Sequence, residues 1–310
     1  MAQKLKPQRI LAEDLSEYLA SYSDFSFELS VLKMLREFGI DCEHGGLYDD
    51  PATKKTREFD IRALRTWGRF NLRMAIECKN VRENFPLLIS GVPRHVSESY
   101  HDVVLLRNPE LQDSLLDDDG TSISIPYLGP ERSRATVVRV AGEDSIYKPG
   151  DFLGKSTVQV GRLGDGSLSA NDSELYEKWG QCLSSADALV ARSYWDGKDI
   201  KERFALSAVV PLIVVPDGRL WMVAYNDDGN RTSEPTQTNR CSMFAGKFYK
   251  MDIMGPNYQI SHIEIVTWSG LATFVQTYLA SEQLLKSWFQ KEAILRALRL
   301  AQTGGRAADA

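Results

Sequence analysis

Residues 59–80 constrain this chain more than any other stretch. Two runs of strand composition, Phe59-Asp60-Ile61-Arg62-Ala63 and Leu72-Arg73-Met74-Ala75-Ile76-Glu77-Cys78-Lys79-Asn80, flank Leu64 to Asn71, with Gly68 as the natural point of reversal. A turn centred on Gly68-Arg69 sets Asp60 opposite Glu77. Side chains alternate along a strand, so Asp60, Glu77 and Lys79 then share one face. The other face takes Phe59, Ile61, Met74, Ile76 and Cys78, all apolar. One side of the hairpin is built for a core, and the other carries two acids and a lysine.

Carboxylates directly opposite each other on paired strands lie about 5 Å apart. At an effective dielectric near 20 they repel by roughly 3 kcal/mol, enough to raise one pKa by about two units. Such a pair persists where something cationic fills the gap. Lys79 can do part of this, and a divalent metal with oxygen ligands can do more. Two acids holding a metal, with a lysine two residues on, suit phosphodiester hydrolysis. The metal polarises the phosphoryl oxygen and acidifies a bound water, and the ammonium stabilises developing charge or orients that water.

The pattern acid, any residue, lysine is common and carries little by itself. It occurs three times, as Glu77-Cys78-Lys79, Asp196-Gly197-Lys198 and Asp199-Ile200-Lys201. The second and third sit in a Gly-containing loop after a helical stretch and read as solvated charge. Only the first ends a strand whose partner supplies an acid in register.

Lys54, Lys55, Arg57, Arg62, Arg65, Arg69 and Arg73 surround the acid pair in sequence. The chain as a whole has a net charge of −5, which argues against strong nonspecific nucleic-acid binding by the bulk surface. A local basic excess in an acidic protein points instead to a phosphate-bearing substrate, with a solvated hairpin as the plainer alternative. No apolar run approaches the roughly 20 residues of a membrane span, and Met1 to Arg9 lacks the apolar stretch of a signal peptide. Cys42, Cys78, Cys182 and Cys241 have no zinc-type spacing, so reduced thiols and a cytoplasmic setting are expected. His44, His95, His101 and His262 are equally scattered and read as surface or loop residues rather than ligands.

Before the hairpin, residues 10–22 predict a short helix, and Ser23-Asp24 caps a second over Phe25 to Phe38. Its stripe is Phe27, Val31, Met34, Leu35 and Phe38, with Glu28 on the border, where a first-turn acid also simply favours the helix dipole. Ile40 to His44 reads as a strand and Gly45 to Arg57 as a loop. After the hairpin, 81–168 reads as loops and short strands. Within it, Gly150-Asp151-Phe152-Leu153-Gly154-Lys155-Ser156-Thr157 resembles a phosphate-binding loop but lacks one residue and is followed by a strand pattern, so it is rejected. Asn171-Asp172-Ser173-Glu174 opens a helix to about Tyr194. Leu206 to Val215 reads as a doubly covered strand with a bulge at Pro211. Further strands are expected over 220–225, 242–249 and 259–267, with a helical end broken near Ser281 and a disordered tail, 303–310.

The order is helix with Glu28, strand, strand with Asp60, strand with Glu77-x-Lys79, helix, strand. This resembles the PD-(D/E)XK nuclease superfamily, over 24–80 by motif and 170–225 by element order alone. Phe59 stands where that family usually has proline. The resemblance implies an α/β, restriction-endonuclease-like mixed sheet flanked by helices, from 1–80 and 169–302, with 81–168 inserted after the active-site strand. It implies Mg²⁺ or Mn²⁺ held by Asp60 and Glu77, Glu28 supporting the metal or its water, and Lys79 assisting water attack.

The expected activity is a metal-dependent nuclease, acting on DNA rather than RNA, with Lys54, Lys55 and Arg57 on the substrate backbone. Charge and fold analogy suggest a subunit of a restriction, repair or phage-defence assembly; a homo-oligomer is left open. The rivals are a non-catalytic nucleic-acid-binding or assembly protein of the same fold, and a nucleotide hydrolase using Lys155. The nuclease reading requires that the hairpin keep its register and that the acids not turn into the core.

Overall fold

Gly68 reverses the chain with a positive φ of 52°, at the first of two loop residues, where tight hairpin turns favour glycine. The structure is a computed structural model and describes residues 8–21, 23–50, 53–107, 114–116, 122–124, 135–171, 173–195, 204–249 and 257–302. Helices α1 (Ala12–Ser21) and α2 (Phe25–Glu37) precede strands β1 (Asp41–Asp49), β2 (Thr56–Trp67), β3 (Phe70–Cys78), β4 (Leu87–Pro93) and β5 (Tyr100–Arg107). Then come β6 (Ser114–Leu116), β7 (Ser122–Ser124), β8 (Ala135–Ala141), β9 (Phe152–Arg162) and β10 (Leu168–Asn171), and helix α3 (Ser173–Trp195). Strands β11 (Phe204–Val215), β12 (Leu220–Ala224), β13 (Thr236–Gln237), β14 (Arg240–Tyr249) and β15 (Tyr258–Thr267) follow. Helices α4 (Trp268–Tyr278), α5 (Glu282–Leu285) and α6 (Lys291–Gln302) end the described chain. The 303–310 tail and the two loop tripeptides at 196–201 lie outside the described residues.

Thirteen strands form one mixed sheet in the order β1-β2-β3-β11-β15-β14-β9-β4-β12-β13, with β10 on β9 and with β5 pairing both β11 and β8. The fold is thus mixed α/β, a large sheet flanked by helices. The segment 81–168, expected as an insertion of loops and short strands, contributes β4, β5, β8 and β9 to this sheet.

Strand β2 pairs antiparallel with β3 from Ile61↔Ile76 to Trp67↔Phe70, the register expected from the turn at Gly68-Arg69. Strand β1 is longer than its sequence suggests. Gly45 and Gly46 belong to it rather than to a loop, and a Cβ on Gly46 would come within 2.7 Å of the Phe59 ring. Glycine there lets Phe59 lie flat on the neighbouring strand.

Strand β11 runs parallel to both β3 and β15 and carries no bulge at Pro211, which pairs with Ala75. On its other edge β11 meets β5 only over 204–207 and β15 only over 212–215. In the gap, Val209 N–H donates to Tyr258 Oη (3.1 Å). Residue 211 points its backbone the same way, and proline has no donor to leave unpaired.

Both faces of the hairpin are covered. Ile61, Met74, Ile76 and Cys78 pack with Val31 and Leu35 of α2 and with Leu271 and Phe274 of α4. On the opposite face Ala75 and Val209 pack under Leu183, Ala186 and Val190 of α3. The acid side of β3 therefore lies beneath a helix rather than open to water. No helix among the described residues is long and apolar enough to cross a membrane.

Two histidines are core residues, contrary to the surface or loop position expected of them. His101 is buried, with Nδ1 at 3.0 Å from Ser145 Oγ and Nε2 at 2.8 Å from the Trp288 carbonyl. His262 stacks on the Tyr147 ring at 3.7 Å. Burial pushes the pKa of His101 down to about 4, and burial with the Arg94 charge pushes that of His262 down to about 3. Both fold as neutral rings, so their contribution is complete above the unfolded pKa near 6.5 and is lost as pH falls toward and through the folded values. For His101 alone this amounts to about 3 kcal/mol by the acid end of the window. Urea melts from pH 7 to 4 should show stability falling with pH, and His101→Gln should flatten that slope; a parallel profile in the variant refutes the assignment.

Candidate active site

The register, continued one pair beyond Ile61↔Ile76, sets Asp60 across from Glu77 on the face beneath α3, and that helix supplies the cation between them. Lys178 Nζ donates to Asp60 Oδ2 (2.9 Å) and to Glu77 Oε2 (3.2 Å). The Cys78 N–H also donates to Asp60 Oδ2 (2.7 Å), fixing that carboxylate across the hairpin. Glu77 Oε1 is buried with no hydrogen-bond partner among the described residues.

Burial pushes the pKa of Glu77 up to about 8, and the Asp60 charge adds to the rise against the opposing pull of Lys178. Lys178 itself is held above its ordinary value: burial works against its charge, but Glu77 and Asp60 outweigh it. The repulsion expected of facing carboxylates is therefore present, and a lysine answers it. That lysine is not Lys79. The Lys79 ammonium lies 3.7 Å from Asp24 Oδ2 at the start of α2.

Glu28 joins the same electrostatic cluster from α2. Its Oε2 lies 3.5 Å from His44 Nε2, and its pKa is raised by burial and then by the Asp60 charge. Asp60 and Glu28 keep 13% and 16% of their side-chain surface open, against 1% for Glu77. Glu77 thus fails the requirement that the acids face solvent, and Asp60 and Glu28 meet it only in part. Of the three acids, Asp60 and Glu28 are the ones that keep contact with solvent. Among the described residues no three His, Cys, Asp or Glu side chains converge closely enough to hold a metal ion unaided.

The basic residues divide into two groups. Lys54 and Lys55 are exposed on the β1–β2 turn, which Asp50 closes by accepting from Lys54 N–H (2.8 Å) and Thr53 N–H (3.2 Å). Strand β2 separates that turn from Asp60 by about 13 Å, so these lysines stand clear of the acids. Arg57 is tied to buried Asp50 at 2.6 Å. Arg62, Arg65, Arg69 and Arg73 serve packing instead. Arg62 lies over the Phe59 ring at 4.1 Å and donates to Ser185 Oγ, and Arg65 donates to the Gly39 and Leu279 carbonyls. Arg69 covers Phe204 at 4.4 Å, and Arg73 is buried.

Lys178 is the residue that sequence reasoning missed. A faint signal existed: it interrupts the first apolar turns of α3, between Leu175 and Cys182, both buried. Lys155, the alternative centre, lies in strand β9 and pairs with Glu98. The four cysteines are free thiols. No family model matches this chain, and neither the curated proteins nor the solved structures provide a match.

Proposed function

We propose that this chain is a divalent-metal-dependent phosphodiesterase of PD-(D/E)XK type, acting on nucleic acid and on DNA in the first instance. The observation that carries the reading is the pair of facing carboxylates, one of them with an unpartnered buried oxygen, bridged by an ammonium. The order α2-β1-β2-β3, followed after β4 to β10 by α3-β11 with β3 and β11 parallel, supports it as the element order expected of a restriction-endonuclease-like core.

The donor set suits Mg²⁺ or Mn²⁺. Mg²⁺ is ordinarily bound by one or two carboxylates, with water and substrate phosphate completing its shell, so a full cage of protein ligands is not required. Asp60 and Glu77 would hold it, Glu77 only once Lys178 moves aside and uncovers it, with Glu28 supporting it through water. Bound there, it would supply Lewis-acid stabilisation of the phosphoryl oxygens and a more acidic water. Lys178 keeps the two carboxylates close together in its absence. Once displaced toward solvent, its ammonium can stabilise charge on the phosphate or orient the attacking water. Lys79, two residues beyond Glu77, remains a second candidate for that part.

Labelled DNA should be cut in Mg²⁺ or Mn²⁺ and not in EDTA. Glu77→Gln should lower the rate at least about 100-fold, the scale of losing one group that stabilises the transition state. Lys178→Ala and Lys79→Ala assayed side by side show which lysine takes part. Undiminished cutting by both Glu77→Gln and Asp60→Asn would sink the site.

The closed position of Glu77 under Lys178 favours a second reading, a non-catalytic binding or assembly protein in which the three charges form a structural ion cluster. It predicts nucleic-acid or protein binding that is indifferent to metal, with no cutting under any condition.

A further inference from the structure

Two residues beyond Glu77 the chain leaves the sheet and forms one wall of a cavity of about 450 Å³. The other wall is the hairpin of β9 and β10. Lys79, Arg82 and Arg162 line it, and none of its lining residues is acidic, in a chain with more acids than bases. Glu83, in the same loop, pairs instead with Arg219 at 3.5 Å. Lys79 already lies 3.7 Å from Asp24 Oδ2, and Arg82 and Arg162 leave the lining with a positive charge that suits an anion.

It also has the parts that hold a base. Phe85 lies directly against Gly161, where an added Cβ would come within 2.5 Å of the ring. Asn84 and Gln159 bring carboxamides to the same space. Buried Gln159 is fixed there by donating to the Phe85 carbonyl at 3.4 Å. Cations, one aromatic ring and amides are the combination that binds unpaired nucleotides: phosphates pair with the bases, nucleobases stack, and amides read their edges. A cube of this volume is about 8 Å on a side, room for one base with its sugar but not for a duplex, whose major groove alone is wider.

We infer that this cavity receives the nucleotide next to the phosphate at the acid pair, and that the substrate is therefore single-stranded there. The inference rests on the phosphodiesterase reading. Strand geometry puts Lys79 about 7 Å from Glu77, so the two sites are adjacent along one polynucleotide.

Fluorescence anisotropy in EDTA, with a labelled 12-nucleotide single strand of DNA and a hairpin duplex of the same sequence, tests it. The parent should bind the single strand at least about tenfold tighter than the duplex. Phe85→Leu should cost about tenfold on the single strand and leave the duplex unchanged, the effect of losing one stacked base. Arg82→Ala/Arg162→Ala, at exposed positions, should weaken both probes and flatten their salt dependence. A duplex bound as tightly as the single strand, an unaltered Phe85→Leu, or no binding of either probe overturns the inference. If the cavity variants behave as expected while the parent cuts no DNA in Mg²⁺ or Mn²⁺, the phosphodiesterase reading falls and the single-strand site stands. If duplex is cut and the cavity variants bind like the parent, the reverse holds.

Discussion

Lys178→Met should melt on the order of 10 °C below the parent near pH 8.5 in EDTA, and millimolar Mg²⁺ should restore much of the loss. Methionine keeps the approximate length of the side chain but removes the charge that holds Asp60 and Glu77 together. Taking one partner from a buried ion pair costs about 3–5 kcal/mol, which for a chain of this size is roughly 2–4 °C each. The loss should shrink toward pH 6. Glu77, with its pKa pushed up to about 8 by burial and by Asp60, is then protonated and needs no partner. Native Glu77 binds its proton more readily than the unfolded chain does, so its contribution is present at low pH and is lost as pH rises through the folded value. Rescue by Mg²⁺ is the decisive part, because a structural ion cluster offers a metal no such role. A variant equally destabilised with and without metal would favour the non-catalytic reading, whatever its nuclease assays show.

Arg240→Met should be as damaging, at a place remote from the chemistry. Arg240 grips fully buried Glu264 with two hydrogen bonds of 2.8 and 3.1 Å, Ser242 Oγ donates a third at 2.8 Å, and Arg240 also donates to Tyr278 Oη at 3.1 Å. Burial would raise the pKa of Glu264, but the Arg240 charge and these hydrogen bonds more than cancel it and hold the carboxyl below its ordinary range. Stripped of arginine, Glu264 must either stay charged in the core or take a proton, at a cost of about 3–5 kcal/mol. Arg240→Met/Glu264→Gln should recover most of that loss, since no uncompensated charge remains. Thermal melts of the two variants by circular dichroism check both halves. A double variant no more stable than the single would mean that shape rather than charge holds the site.

These two clusters mark where sequence reasoning succeeds and where it stops. Local geometry determines the β2–β3 hairpin: one glycine sets the turn, the turn sets the register, and alternation then pairs Asp60 with Glu77. The helices beginning at Phe25 and Ser173 announce themselves through apolar stripes, although Asp24, expected to cap the first, makes no side-chain cap hydrogen bond and accepts instead from Asn80 N–H (2.8 Å). What lies over the acids does not. The hairpin reads as having one polar face because its partner there, α3, comes about a hundred residues later, and only tertiary packing shows that it covers Glu77 and inserts Lys178. The basic stretch misleads for the same reason. Arg62, Arg65, Arg69 and Arg73 look like a phosphate-binding run, yet each finds an aromatic ring, a carbonyl or a buried position once the strands are assembled. Strands β4, β5, β8 and β9 of 81–168 are not short, from seven residues in β4 to eleven in β9, but Gly, Pro and polar residues break their apolar pattern.

The span between the acids and their lysine also bears on synthesis. Glu77 and Lys178 are 101 residues apart. A ribosome therefore completes the β2–β3 hairpin long before the counter-charge has been translated. Until α3 emerges, Glu77 has no Lys178 to pair with, and β11, the parallel neighbour of β3, is still further downstream. Nascent chains halted before α3 thus expose a charged sheet face with nothing to close it, and completion of this region has to wait for the second half of the polypeptide.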